Sequence, residues 1–288
     1  MTFRTKPLQR PAPARMDSRR GRSIYLVGNL KKGRGLGVYG VGRGDTARDQ
    51  PGSPPTFKPR RLALNTSTRN PHLVLLGDSI FDNGPYVPTT HDTTSSHLGR
   101  TLPKGWQVSL LAVDGHLTRD VERQLAGLPA DATHLLVSAG GNDALQVAAR
   151  WGLLESQRFG AVARQLAGYQ KQFRREYREM LGKVLEHRLP TAVCTVYTAV
   201  PGLPEEQVAA LSYYNDVIVE EAARRRVAVV DLRLVCEAEE DYSPRSPIEP
   251  SVVGGKKIAL ALAALVKSWP EEGLGGSLVL GNLEHCEG

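Results

Sequence analysis

LVLLGDSI, residues 73–80, runs four apolar side chains without a break into Gly77, Asp78 and Ser79. An unbroken apolar run of this length predicts a strand covered on both faces, as in a parallel sheet. A strand with one wet face would alternate instead. The first strand is therefore read as His72–Leu76. Four more short apolar runs follow, at Val108–Val113, His134–Ser138, Ala192–Tyr197 and Val227–Leu232. Helical patterns lie between them. Thr118 is placed to cap a helix running to Leu128. Residues 157–188 carry Phe159, Val162, Leu166, Tyr169, Phe173, Tyr177, Met180, Leu181 and Leu185 mostly three and four apart, one stripe of a long helix. Glu205–Arg226 and Ser251–Trp269 read as two more helices, with Pro250 in the first turn of the last. Strands alternating with helices predict a parallel sheet with helices on both faces. In such sheets chemistry gathers at the carboxyl ends of the strands.

Charge divides the chain. Residues 1–70 hold 16 Lys and Arg against 3 Asp and Glu, a net of +13, so the whole-chain +7 leaves −6 for the remainder. A nucleic-acid domain would show its basic stripe on the fold itself, so nucleic acid is not the expected partner. The basic segment is rich in Arg, Pro and Gly and lacks periodic apolar spacing, which predicts disorder. Its prolines and glycines break the amphipathic helix of a transit peptide. The expected location is cytoplasmic, with organelle targeting by this segment as the other reading. Gly35-Leu-Gly-Val-Tyr-Gly40 spells a dinucleotide fingerprint but lacks the flanking strand and helix that motif needs. Arg43-Gly44-Asp45 is a chance tripeptide of such composition. Cys194, Cys236 and Cys286 are odd in number and form no CxxC pair, which predicts reduced thiols and no cysteine-type metal site. No apolar run is long enough to span a bilayer. The expected organisation is a basic tail over 1–70, one domain over 71–270 and a C-terminal tail over 271–288.

Three strand ends carry candidate chemistry. Ser79 follows the first strand on a tight turn, which presents its hydroxyl and its own N–H together; the bland alternative is that Asp78 and Ser79 only cap the next element. Gly115 follows the second, where a glycine lets backbone approach a ligand closely. Asn142, in GGND after the third, offers a neutral amide donor of the kind that stabilises developing negative charge. Asp82, Asn83 and Tyr86 follow Ser79 and are candidates to line a substrate site. Asp143 is a candidate to hydrogen-bond the nucleophile turn, and Asp231–Arg233 a structural ion pair. Cys194 reads as a small core residue.

GDSI, Gly115 and GGND together resemble the SGNH, or GDSL-type, hydrolases over about residues 71–268. The resemblance implies a flavodoxin-like three-layer α/β/α sandwich around a five-stranded parallel sheet. It implies Ser79 as nucleophile, with its N–H, that of Gly115 and the Asn142 amide as oxyanion donors. It also implies an ester substrate, no metal and no cofactor. The last block departs from the family's Asp-x-x-His-Pro. In SPIEPSVVGGKKIA (246–259), aligning Pro250, Gly254 and Ile258-Ala259 places Ser246 at the aspartate and Glu249 at the histidine.

Three readings of the base stay open. Glu249 takes the role, with its ordinary pKa about 2 units below histidine and good leaving groups favoured. A histidine substitutes, His116 beside Gly115 being the first candidate and His91 and His97 the others. Or the chain is a catalytically inactive binding protein or a very slow enzyme, with Glu249 holding local structure at a helix N-terminus where negative charge is favoured. The loops expected around the site carry Asp82, Asn83, His116, Arg119 and Arg245, which predicts a polar acyl ester.

Overall fold

The computed structural model describes residues 70–148, 158–269 and 279–280. The basic tail with its glycine fingerprint and Arg43-Gly44-Asp45, Cys286 and most of 271–288 lie outside the described residues. The elements run β1 (His72–Gly77), α1 (Thr94–Thr101), β2 (Gln107–Leu110), α2 (Val121–Leu125), β3 (His134–Ser138), α3 (Gly141–Ala148), α4 (Phe159–Glu186), β4 (Thr191–Cys194), α5 (Glu205–Arg225) and β5 (Ala228–Val230). The described elements end with β6 (Tyr242–Ser243), β7 (Ser246–Pro250), α6 (Val252–Ser268) and β8 (Val279–Leu280).

All five expected strands form and all pair in parallel, in the order β2-β1-β3-β4-β5. The unbroken apolar run of β1 has the expected cause, because every residue of it is buried. Leu73 and Leu75 face one cluster with Leu98, Ile258, Leu262 and Leu265, from α1 and α6. Val74 and Leu76 face the other, with Val121, Tyr177, Leu181 and Ile218, from α2, α4 and α5. Helices thus cover both faces and give three layers. The sheet continues past β5 through Val279–Leu280, paired in parallel with Val229 and Val230. The segment expected as a C-terminal tail therefore lends a sixth, two-residue strand to an edge left open by β5.

Two helix starts differ from expectation. Ser251 caps α6, its Oγ accepting from the N–H groups of Val253 and Gly254, both at 3.1 Å. Pro250 is accordingly the last residue of β7, outside the helix. Thr118 opens a 3-10 turn ahead of α2, and its hydroxyl is drawn away to Asp143 at 2.9 Å. Cys194 and Cys236 are free and buried in the core, where desolvation pushes both thiols above their ordinary range. Among the described residues, no helix is long and apolar enough to cross a membrane.

Candidate active site

Gly77 makes the turn that presents Ser79. Its φ is +123°, and a Cβ there would lie 1.7 Å from the Ser138 carbonyl oxygen of β3. Only glycine fits both constraints. The turn closes with Asp78 N–H donating to Ser138 O at 3.1 Å, and with the N–H groups of Phe81 and Asp82 donating to Asp78 O. Gln124 of α2 grips Gly77 from both sides: its Oε1 accepts from Gly77 N and its Nε2 donates to Gly77 O, each at 2.7 Å.

The loop after β2 brings Gly115 to the same end of the sheet, with φ +77°. The turn's own hydrogen bond comes from His116 N to Val113 O at 3.1 Å, so it does not use the Gly115 N–H. Asn142 stands in the first turn of α3 and lines a cavity with Ser79. Its Nδ2 donates one N–H to His116 O at 2.9 Å, which fixes the amide and leaves a second donor. Asp143 holds the same loop, its Oδ2 accepting from Thr118 N at 3.0 Å and from the Thr118 hydroxyl. It braces the loop that follows Gly115 and not the turn at Ser79.

Glu249 comes from outside the main sheet, on β7, which pairs antiparallel with β6. Its side chain lines one cavity with Ser79. Burial pushes the carboxyl up to about 7, while the hydrogen bond from Ser79 pulls down and the Asp114 charge pushes up again. The residue is 4% exposed, and its Oε2 is buried without a hydrogen-bond partner. Ser246, at the start of β7, pairs with Ser243 of β6. Asp78 is buried beside them. Desolvation lifts its carboxyl to about 8, opposed by the Ile80 N–H that bonds its Oδ1 at 3.2 Å and reinforced by the Glu249 charge. Near neutral pH it stays protonated, which spares the site a second full negative charge.

His116 is placed otherwise. Gln124 Nε2 can only donate, so at 2.9 Å it takes the lone pair of His116 Nδ1, and the neutral ring then carries its proton on Nε2. While that bond stands, the ring offers no lone pair to Ser79. His97 bonds Arg100 through Nδ1, and His91 gives Arg100 its backbone carbonyl, both along α1 and the turn before it.

The substrate expectations for Asp82 and Asn83 change more. Asn83 is fully buried, with its amide bridging Thr94 N and Pro250 O at 2.9 and 3.2 Å. It ties α1 to the strand that carries Glu249 and has no face left for a ligand. Asp82 accepts from Asp114 N at 3.0 Å and so shapes the loop before Gly115. Arg245 bonds the carbonyls of Pro85 and Val87. Arg119 lines a different hollow, with Asp143 and Glu176. Asp231 and Arg233 form the expected ion pair, at 2.5 Å.

The cavity itself is apolar. It runs from Ser79 and Glu249 between α3, the segment after β4 and the start of α5. Ala144, Leu145, Val196, Val200, Leu203 and Leu211 form its walls. Among the described residues, Asp78 and Glu249 are its only ionisable lining carboxyls. The polar site expected from the sequence is corrected here: Asp82, Asn83 and Arg245 bond to backbone, His116 bonds Gln124, Arg119 lines another hollow, and much of the wall comes from the segment after β4 and from α5. Two residues position those walls. Asn215 of α5 holds both the N–H and the carbonyl of Val196, each at 2.8 Å. Tyr197 lines the cavity and donates its hydroxyl to Ile248 O at 2.5 Å, anchoring the residue before Glu249. A buried asparagine on an apolar helix face, and a tyrosine at the carboxyl end of the fourth strand, were the signals in the sequence.

Solved structures share this fold. A lipase from a goat rumen metagenome superposes with a TM-score of 0.53 at 19% identity, covering 67% of this chain and 96% of its own. An extracellular lipase from Streptomyces rimosus gives 0.51 at 19% identity, covering 69% and 99%. A psychrotrophic esterase from Pseudoalteromonas sp. gives 0.51 at 13% identity, covering 69% and 97%. At such identities the likeness is one of fold. No curated protein matches the chain. Residues 75–254, from the middle of β1 into the first turn of α6, match the GDSL-like lipase/acylhydrolase family. The chain belongs to the GDSL-like lipase/acylhydrolase family.

Proposed function

We propose that the protein is a serine hydrolase of esterase type, acting through Ser79 with Glu249 as general base. The observation that carries this reading is that Ser79 shares a cavity with the buried carboxyl of Glu249, which burial pushes up to about 7. An ordinary glutamate is a poor base for a serine, but burial lifts this one into the range of a histidine, near ~6.5. The carboxylate takes the Ser79 proton as Oγ attacks the ester carbonyl. The Ser79 and Gly115 N–H groups and the free Asn142 N–H are donors for the oxyanion. Protonated Glu249 then returns the proton to the departing alkoxide, leaving the acyl group on Ser79. Water, deprotonated by Glu249, hydrolyses the acyl-enzyme and restores the serine. The apolar cavity receives the acyl chain, so aliphatic acyl groups are favoured over polar ones.

The test is hydrolysis of an activated aliphatic aryl ester across pH. Ser79→Ala and Glu249→Gln should each abolish activity, and wild-type kcat/KM should rise through one apparent pKa near 7. His116→Ala should keep the same profile, because that ring lends Ser79 no lone pair. Dependence on Ser79 and His116 with indifference to Glu249 would move the base to the oxyanion side. If wild type neither turns over nor labels with a serine-directed phosphonate, the chain is a binding protein on a hydrolase fold.

A further inference from the structure

A second hollow, sharing no lining residue with the acyl cavity, runs along the β6–β7 hairpin. Tyr86, Tyr242, Pro88, Pro244, Pro247 and Val253 line it. Val253 is 44% exposed, and the three prolines are exposed as well. Both rings are fixed. Tyr86 donates its hydroxyl to Asp114 Oδ2 at 2.8 Å, and Tyr242 donates to Cys236 O at 3.0 Å. Grooves lined by aromatic rings are where polyproline II chains dock. Such a chain makes no hydrogen bonds of its own and offers its carbonyls to donors. Arg245 lines the groove and supplies them. Its Nη1 is fastened to the carbonyls of Pro85 and Val87 at 3.0 and 3.1 Å, which leaves the N–H groups of Nε and Nη2. Glu239 and Glu240 complete the lining; both are exposed, and neither forms an ion pair among the described residues.

The chain carries a segment of matching chemistry. Residues 51–61 read PGSPPTFKPRR. At three residues per turn, a polyproline II helix sets Pro51, Pro54, Phe57 and Arg60 along one edge, with Pro55, Lys58 and Arg61 along the next. Prolines and an aromatic ring suit the tyrosine and proline walls, and the cations answer Glu239 and Glu240. The segment is also within reach. Nine residues lead from Arg61 to Asn70, enough to cover about 30 Å when extended. β1, six residues and about 20 Å long, separates Asn70 from the end of the sheet where Tyr86 meets Asp114. So short a tether holds the segment at a local concentration on the order of millimolar, and weak contacts suffice. We propose that residues 51–61 dock in this groove as a strap within the same chain, lying across the hairpin that carries Glu249. The strap needs no catalysis and stands apart from the esterase reading.

Photo-crosslinking in the full chain tests it. The photoreactive analogue p-benzoylphenylalanine is placed at Phe57, and attachment points are mapped by mass spectrometry after irradiation of dilute protein. Crosslinks should form within one chain and fall on Pro88, Pro244, Pro247 or Val253. Glu239→Lys with Glu240→Lys should cut their yield by about fivefold or more. Adding Lys58→Glu, Arg60→Glu and Arg61→Glu should restore it, since the charges then match again. Glu179→Lys with Glu186→Lys, exposed on α4 at the sheet face opposite α6, should change nothing. Crosslinks absent from the groove, crosslinks only between chains, a yield indifferent to the reversal at Glu239 and Glu240, or a reversal that the charge swap does not rescue would each overturn the strap. No substrate enters the experiment. Any of those results leaves the esterase reading as it stands, and a protein that hydrolyses nothing can still show the strap.

Discussion

Replacing Glu249 by glutamine should stabilise the protein in alkaline solution while abolishing its hydrolysis. The carboxyl stands at about 7 in the fold against an ordinary 4.5. That gap of about 2.5 pH units corresponds to about 3 kcal/mol, at about 1.4 kcal/mol per unit. The sign follows from which state binds the proton. The folded protein keeps it to higher pH, so the associated stability is complete below about 4.5 and is lost as pH rises through about 7. A neutral amide in the same place carries no such loss. Relief of the repulsion on Asp78 adds in the same direction, because the Glu249 charge raises that carboxyl too. Glu249→Gln should therefore gain less than about 1 kcal/mol at pH 5 and about 3 at pH 8.5. In a domain of this size that is roughly 6–12 °C of Tm at the higher pH. The assay is urea unfolding of both proteins at the two pH values, reading the change between them, since any fixed cost of burying an amide cancels. Equal effects of the substitution at pH 5 and pH 8.5 would refute the burial of a strained carboxyl on which the catalytic argument depends.

Three further outcomes are expected. Tyr197→Phe removes the hydrogen bond to Ile248 O; it should cost about 1 kcal/mol of stability by thermal melt and lower kcat more than it raises KM, because Glu249 loses its anchor. Gly77→Ala should give no folded protein in an expression and circular-dichroism test, since the new Cβ meets Ser138 O at 1.7 Å and the φ of +123° is strained as well. Leu211→Trp should narrow the cavity, cutting kcat/KM for an octanoyl aryl ester by more than about tenfold while sparing the acetyl ester, as steady-state kinetics would show.

The sheet was readable because its strands are buried on both faces, and LVLL reports that burial in the composition of a single run. Ser79, Gly115 and Asn142 were readable because each sits immediately after such a run, where the topology brings strand ends together. The cavity was not. Its walls come from α3, a two-turn helix beginning in the glycine turn of GGND, and from 195–203, which carries no periodicity. Their conformation is set by tertiary hydrogen bonds such as Asn215 to Val196, which leave little trace in local sequence. Asn83 misled for a related reason: a polar residue four places past a nucleophile suggests a ligand contact, and only the fold reveals that Thr94 and Pro250 take both ends of its amide. The strand at Val279–Leu280 is too short to produce any pattern.

Glu249 rides on a two-stranded hairpin, while Ser79, Gly115 and Asn142 are carried by the main sheet and its strand ends. The hairpin is fastened by Tyr197 at Ile248 and by Asn83 at Pro250, both through backbone carbonyls. Those fastenings are blind to the side chain between them. On the proposed mechanism the proton-handling group is thus a replaceable cartridge in a fixed socket, and an exchange of residue at 249 would retune the working pH without moving Ser79, Gly115 or Asn142.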